Sequence, residues 1–443
     1  MGGGLMQLVA YGAQDIYLTG QPQITFFKSV YRRHTNFAVE SIQQTINGSV
    51  AAGSRVSVTI SRNGDLLKNL WIQLNAQGIV TANGGSGFLA ADLTHALLQT
   101  LEIEIGGQLI DRHYGLWLTV WRDLTEINPT GAQGELTTNG AEPAVNGGSG
   151  APDANPSTRY QRMSYTHQSN GQTVTTGAPS EVYIPMRFWF CRNPGLAIPL
   201  IALQYHEVKF NIQFAQSNNW VYGTGFTTGI ATSANLNVYA DYVYLDTTER
   251  RQFAQNAHEY LIDQLQTQQE ASSGNSNTNT IRLNFNHPVK ELIWVGAPTA
   301  LSAGSSVDDV AGGATPSSIV VPTPSGASAI TGGGVGSTTP LTTKIILNGT
   351  DRFTARNLKY FTRNQIWECH TGFGATGVPD AIGVYSFALR PEEHQPSGTC
   401  NFSRIDTAQL AFYGDYVNSL YIYAVNYNVL RIMSGMGGLA YSN

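Results

Sequence analysis

Residues 208–214, VKFNIQF, place Val208, Phe210, Ile212 and Phe214 on one face of an extended chain and Lys209, Asn211 and Gln213 on the other. A period of two is what a strand needs when one face meets a core and the other a polar environment, because successive side chains point to opposite sides. The same reading holds at residues 56–61, where Val56, Val58 and Ile60 alternate with Ser57, Thr59 and Ser61. It holds again where Leu101, Ile103 and Ile105 alternate with Glu102 and Glu104. Further strands are expected at residues 70–74, 182–190, 236–245, 260–265, 281–285, 292–295, 344–347, 383–389, 409–413 and 420–425. Roughly fifteen strands separated by turn signals make the chain all-β, built of antiparallel sandwiches. Helix is scarce. The best candidate is residues 111–127, where Tyr114, Trp117, Trp121 and Leu124 fall at helical spacing and Asn128-Pro129 ends the run. Such a helix is expected to lie over a barrel end without building the core.

Composition sets the limits around this pattern. Of 443 residues, 42% are apolar and only 12% charged, against roughly 25% charged in an ordinary soluble domain. Disorder over most of the chain is excluded, since disordered segments combine low hydrophobicity with high charge. Twenty-five basic against 30 acidic residues leave a net charge of -5, which gathers no phosphates and excludes a nucleic-acid coating role. Cys191, Cys369 and Cys400 fit neither a zinc pattern nor a disulfide framework and read as free thiols in a reducing compartment. The first residues lack the basic and apolar regions of a secretory leader, and no apolar run reaches the ~18 residues of a membrane span.

The chain reads as two copies of one unit. Residues 101–108 and 343–350 each join an alternating strand to a two-residue turn, Gly106-Gly107 in one and Asn348-Gly349 in the other. Between the halves, residues 247–258 form the most charged stretch of the middle of the chain, expected to be an interdomain linker. Each half holds about eight strands, the number a jelly roll uses when two four-stranded sheets pack face to face. Residues 128–180 and 296–343, rich in Gly, Ser, Thr, Asn and Pro, are expected to be exposed surface loops.

Five long words then point to a family. They are residues 8–37 (LVAYGAQDIYLTGQPQITFFKSVYRRHTNF), 60–66 (ISRNGDL), 199–208 (PLIALQYHEV), 395–406 (QPSGTCNFSRID) and 427–441 (YNVLRIMSGMGGLAY). The chain resembles, over essentially its whole length, the major capsid proteins of nucleocytoplasmic large DNA viruses, chlorella-virus type. The resemblance implies a double jelly roll, three copies of which form a pseudo-hexagonal capsomer tiling an icosahedral shell. It also implies an N-terminal arm at residues 1–26, a first barrel at 27–246 and a second at 259–443. Expected partners are neighbouring capsomers, minor capsid proteins and, through the arm, an inner membrane layer; no direct nucleic-acid contact, no catalysis and no cofactor are expected. The expected location is the virion, assembled in host cytoplasm. A lectin-like carbohydrate-binding sandwich is the alternative, with a glycoside hydrolase behind it.

Candidate sites are few. Asn47, Asn348 and Asn401 stand in Asn-x-Ser/Thr sequons, although Asn47 and Asn348 precede Gly and turn chemistry alone explains them. The family resemblance implies glycosylation in Asn-Thr-x-Thr contexts, which Asn277 fits, making it the foremost glycosylation candidate. The cluster Tyr31-Arg32-Arg33-His34 is expected to pair with carboxylates or a neighbouring subunit in preference to nucleic acid. His206-Glu207 and His258-Glu259 do not extend to a metal motif, because strand neighbours face opposite ways. Gly435-Met436-Gly437-Gly438 is expected to be a tail that needs backbone freedom. Finally, a charge-poor chain is expected to turn charge-poor walls toward its neighbours, because desolvating charges costs more than pairing returns.

Overall fold

The structure is a computed structural model of the whole chain. It describes residues 3–74, 80–82, 87–89, 93–127, 159–164, 181–216, 221–223, 226–228, 236–270, 278–296, 342–372, 382–413 and 420–441. The chain divides into two units, residues 1–37 and residues 38–443. The first is an arm with two short helical segments, Gly3–Val9 and Ile16–Thr19, neither of which buries a residue.

The body is all-β and antiparallel, a double jelly roll with short helices in its connections. Its first half contains β1 (Phe37–Gln44), β2 (Arg55–Thr59), β3 (Leu66–Leu74), β4 (Leu98–Ile105), β5 (Gln108–Tyr114), helix α1 (Gly115–Thr125), β6 (Val182–Pro185), β7 (Val208–Phe214) and β8 (Leu236–Leu245). One sheet runs β1-β8-β3, with β6 also paired to β3; the other runs β2-β7-β4-β5. The alternating word at residues 208–214 sits centrally in this second sheet, with Phe210 opposite Val58 on one side and Ile103 on the other. All three are fully buried, as the period of two requires.

Helix α2 (Thr247–Gln255) precedes the second half, which contains β9 (His258–Glu270), β10 (Thr278–Leu283), β11 (Pro288–Gly296), β12 (Thr342–Leu347), helix α3 (Gln365–Cys369), β13 (Ile382–Ser386), β14 (Ala408–Tyr413), β15 (Leu420–Met433) and β16 (Met436–Leu439). Its sheets run β9-β15-β11-β13 and β10-β14-β12. The β12 hairpin turns on Asn348 and Gly349, at φ of +49° and +75°. Two successive left-handed residues give the twist that two antiparallel strands need, and Asn-Gly supplies them at little steric cost.

Four expectations are corrected. Residues 111–114 are strand, and the helix begins only at Gly115. A Cβ at Gly115 would lie 2.1 Å from His95 O and 2.2 Å from Leu98 O, so only glycine allows the turn from strand to helix there. The strand expected over 182–190 stops at Pro185, and residues 189–192 form a helical turn whose Trp189 and Phe190 are buried. The glycine-rich segment near the C-terminus is not a loose tail, since β16 pairs with β15 through Leu430–Leu439 to Met433–Met436.

Helix α1 was expected to cover a barrel end, yet nine of its eleven residues are buried. Trp117, Val120, Trp121 and Leu124 belong to the second half's core, while Leu118 belongs to the first. In return Ile262 of β9 and Leu430 and Ile432 of β15 pack in the first half's core. The strands manage this by length: β15 has 14 residues, on the order of 45 Å of extended chain, so one end can serve each barrel.

Candidate functional site

Where the halves meet, strands lose their alternation. Ile262, Asp263 and Gln264 are all buried, as is every residue from Ile422 to Asn428, so both faces of β9 and β15 are covered. Polar side chains at these positions point inward and must find partners, because an unmet buried polar group is costly. Asn428 donates to Gln264 Oε1 at 2.9 Å, and Gln264 donates to Ile110 O of the first half. The backbone N–H of Leu265 donates to Asp111 Oδ1 at 3.1 Å.

At the centre of the seam Asp263 collects basic side chains from both halves. Arg192 lies 3.1 Å away on the first half, Lys290 3.1 Å away on β11, and His394 Nδ1 3.9 Å away. Burial works against the carboxylate, but His394, Arg192 and Lys290 overcome it and hold Asp263 down at about 2. Burial lowers the Lys290 ammonium, with Asp263 opposing that trend. The flanking rings complete the cage: Arg192 lies over Trp121 at 5.0 Å and Lys290 over Tyr427 at 4.9 Å. The cavity here, lined among others by His113, Trp117 and Asp263, has a volume of about 10 Å³, room for roughly one water molecule and no substrate.

A second buried cluster sits at the end of helix α3. His370 Nε2 lies 2.9 Å from Glu291 Oε2 and its Nδ1 lies 3.0 Å from Glu392 Oε1. Both ring nitrogens face carboxylate oxygens, an arrangement that favours a proton on each and hence the imidazolium. Burial opposes that charge, yet Glu291 and then Glu392 raise it to about 9. The next residues tie the cluster to helix α1, since the Gly372 N–H donates to Leu124 O at 2.7 Å.

The sequence singled out none of Asp263, Lys290, Glu291 or His370 as a site. One signal was present: Lys290-Glu291 is a charged pair inside an otherwise apolar strand, which an exposed edge would not need. The residues the sequence did single out lie elsewhere. Asn47 is exposed on a two-residue strand paired to β2. Asn348 accepts from the Thr407 N–H at 3.1 Å while shaping its hairpin, and Asn401 accepts from the Ser403 N–H at 3.1 Å as the cap of a short helical turn. Asn277 lies outside the described residues. His206 Nδ1 contacts Gly437 backbone atoms at 3.0 and 3.2 Å, anchoring β16 on the first half, and His258 Nε2 contacts Phe253 O at 2.7 Å. Among the described residues no group of three or more His, Cys, Asp or Glu could hold a metal ion. The three cysteines are free thiols, and burial pushes that of Cys191 up to about 12.

Two surfaces complete the picture. In the arm, every residue from 3 to 37 except the half-buried Asp15 is exposed, and Phe26 and Phe27 are 90% and 98% exposed. On the outer face of the β1-β8-β3 sheet, Trp71 stacks on Tyr239 at 4.2 Å and packs near Tyr183 at 5.6 Å. Amides and carboxylates surround them: Gln43 donates to Asn237 and Asn237 to Gln73, while the Trp71 indole N–H donates to Asp241 Oδ1 at 3.1 Å and the Tyr183 hydroxyl to Glu181 Oε2 at 3.0 Å. Tyr239 covers one face of the Trp71 indole.

A body of two fused antiparallel jelly rolls, with the Asp263 ion cluster buried at the seam between them, defines the chain as a double jelly-roll protein. The comparisons with known proteins make this specific. The family model described as major capsid protein N-terminus matches residues 25–246, and that of the large eukaryotic DNA virus major capsid protein matches residues 249–438. The chain belongs to this family of major capsid proteins. It is 45% identical over 468 residues to the major capsid protein of Pyramimonas orientalis virus, and 43% over 486 residues to that of Paramecium bursaria Chlorella virus 1, with 100% of both chains covered in each case. Among solved structures, a chain of the PBCV-1 virus capsid superposes with a TM-score of 0.70 at 38% identity, covering 95% of this chain and 100% of that one. The Faustovirus major capsid protein shares the fold, with a TM-score of 0.61 at 14% identity over 97% of this chain and 96% of that one.

Proposed function

We propose that three copies of this chain form a pseudo-hexagonal capsomer, and that capsomers tile the icosahedral shell of a large DNA virus without any catalytic role for the subunit. The observation that carries this reading is the seam. Two barrels locked by shared strands, an exchanged helix and a buried ion cluster act as one rigid two-lobed block, and three such blocks give six lobes around a closed ring. The barrels are assigned to residues 27–246 and 259–443, joined at 247–258.

The aromatic surface of Trp71, Tyr183 and Tyr239 supports a lateral wall, since aromatic side chains are enriched at the centres of interfaces, with the carboxylates of Asp241 and Glu181 held by Trp71 and Tyr183. The arm, residues 1–26, is assigned to the inner side, against minor capsid proteins or a membrane layer, because so many exposed apolar side chains on one segment mark a contact surface. Assembly is assigned to the host cytoplasm, with no direct nucleic-acid contact. Asn277 is the foremost glycosylation candidate, with Asn348, Asn401 and Asn47 behind it. Intact-mass measurement of virion protein checks them, a mass equal to the bare chain excluding all four.

Light scattering on the purified protein tests the central statement. The expected mass is three times that of the 47.9 kDa chain; a single-chain mass at micromolar concentration would overturn it.

A further inference from the structure

Between helix α2, the turn at residues 194–197 and the start of β9 lies an open groove of about 600 Å³. Leu66, Ala197, Phe253 and Tyr260 give it apolar walls. Phe253 stacks on His258 with ring centroids 5.3 Å apart, and His258 on Tyr260 at 6.0 Å, which makes one continuous ledge of three rings. Glu249 also lines the groove, and its Oε2 is withdrawn from solvent without a hydrogen-bond partner. A carboxylate oxygen in that position needs a donor, and the groove leaves space for one to arrive from outside. The neighbouring Arg250 is engaged elsewhere, bound to Asp65 at 2.9 Å.

The chain itself carries a matching segment. Residues 24–33, ITFFKSVYRR, set aromatic side chains beside Lys28, Arg32 and Arg33, and no acid occurs between Asp15 and Glu40. Phe27 and Tyr31 are 98% and 86% exposed, so their rings are free to cover a ledge elsewhere.

We propose that residues 26–33 of one copy seat in this groove of a second copy, with aromatic rings on the Phe253, His258 and Tyr260 ledge and a guanidinium of Arg32 or Arg33 on Glu249 Oε2. The inference rests on the multi-copy capsomer proposed above and adds the contact that closes it. Each copy carries both this segment and this groove, so a ring of head-to-tail contacts fills the groove of every copy. Residues before 26 remain available to the inner side.

Cross-linking in trans tests it. Tyr31→Cys in one chain and Gln252→Cys in another, differently tagged, both fall at exposed positions. Co-assembly and mild oxidation should give a disulfide-linked pair carrying both tags, absent from wild-type chains with their native thiols. A chain bearing both substitutions that cross-links only within itself would overturn the proposal, as would no cross-link in an assembly of trimer mass. A single-chain mass would overturn the capsomer reading and this contact with it, so the two failures are distinguishable. In the assembled protein, Glu249→Arg should speed chymotryptic cleavage at Phe27 and Tyr31 at least ~10-fold, as loss of a sequestered charge pair implies. Arg32→Glu with Arg33→Glu in the same chain should restore the slow rate. An unchanged rate in Glu249→Arg would overturn the ion pair.

Discussion

The interior of the first barrel and the seam between the barrels are both buried, yet they are built from different materials. Around Phe210 the first barrel is lined by Val56, Val58, Leu101, Ile103 and Ile212, all fully buried and all apolar. At the seam a carboxylate, an ammonium and a guanidinium share the space with Trp121 and Tyr427. An apolar core tolerates small shifts in how its layers slide, because dispersion contacts have little directionality. Ion pairs and hydrogen bonds fail outside narrow geometry. The contrast teaches that apolar burial holds each barrel together, whereas the angle and register between barrels are fixed by directional polar contacts. A chain with few charges places several of them where orientation matters.

Substitutions can break this contrast. Asp263→Ala would leave Lys290 and Arg192 at the seam without the carboxylate they share, and should cost about 3–5 kcal/mol in denaturant unfolding. Phe210→Ala in the first barrel should cost a similar 3–5 kcal/mol, about what a large core cavity costs. What separates the two is salt and pH: the loss at Asp263 should depend on pH while that at Phe210 should not. If both variants unfolded with the same pH profile, the seam would owe nothing to its charges.

The sign of the acid effect follows from Asp263. Its folded-state pKa of about 2 lies below the ordinary value of 3.8, so its contribution is fully present above about pH 4 and disappears as pH falls toward 2. Thermal melting of the wild type should decline through that window, and Asp263→Asn should flatten the decline. His370 acts in the opposite direction. Its folded-state pKa is raised from 6.5 to about 9, so its contribution is complete below about pH 6.5 and is lost as pH rises through 9. His370→Gln should remove that alkaline loss while lowering stability at neutral pH; an identical alkaline profile in the variant would rule out the imidazolium. The smallest effect is expected at the surface hairpin, where Asn348→Ala forces a residue without a short polar side chain to φ +49° and should cost about 1 kcal/mol in the same unfolding measurement.

Much of the fold was legible because strand alternation is local. Residues 208–214 and 236–245 read as strands for the same reason they are strands, namely that one face of each is buried and the other is not. The reading failed where two partners cover one element. Trp117, Trp121 and Leu124 share a helical face, which gave the helix correctly, but their spacing does not reveal that the face enters the other barrel's core. The turn from strand to helix at Gly115 depends on two carbonyl oxygens, of His95 and Leu98, that sequence does not bring together. In the same way Asp263 and His370 look like ordinary polar residues, and their partners Arg192, Glu291 and Glu392 are distant in sequence.

By itself, then, the sequence determined that the chain is all-β, that it is composed of two similar halves, and, through its long family-specific words, that it belongs with the major capsid proteins. Those properties follow from periodicities and words readable within a few residues. Only the tertiary structure decided how the halves are joined, which of the few charges are buried, and that the arm's apolar residues stay exposed. Each of those depends on side chains tens to hundreds of residues apart meeting in a medium where unpaired charge is costly, and no local pattern encodes that meeting.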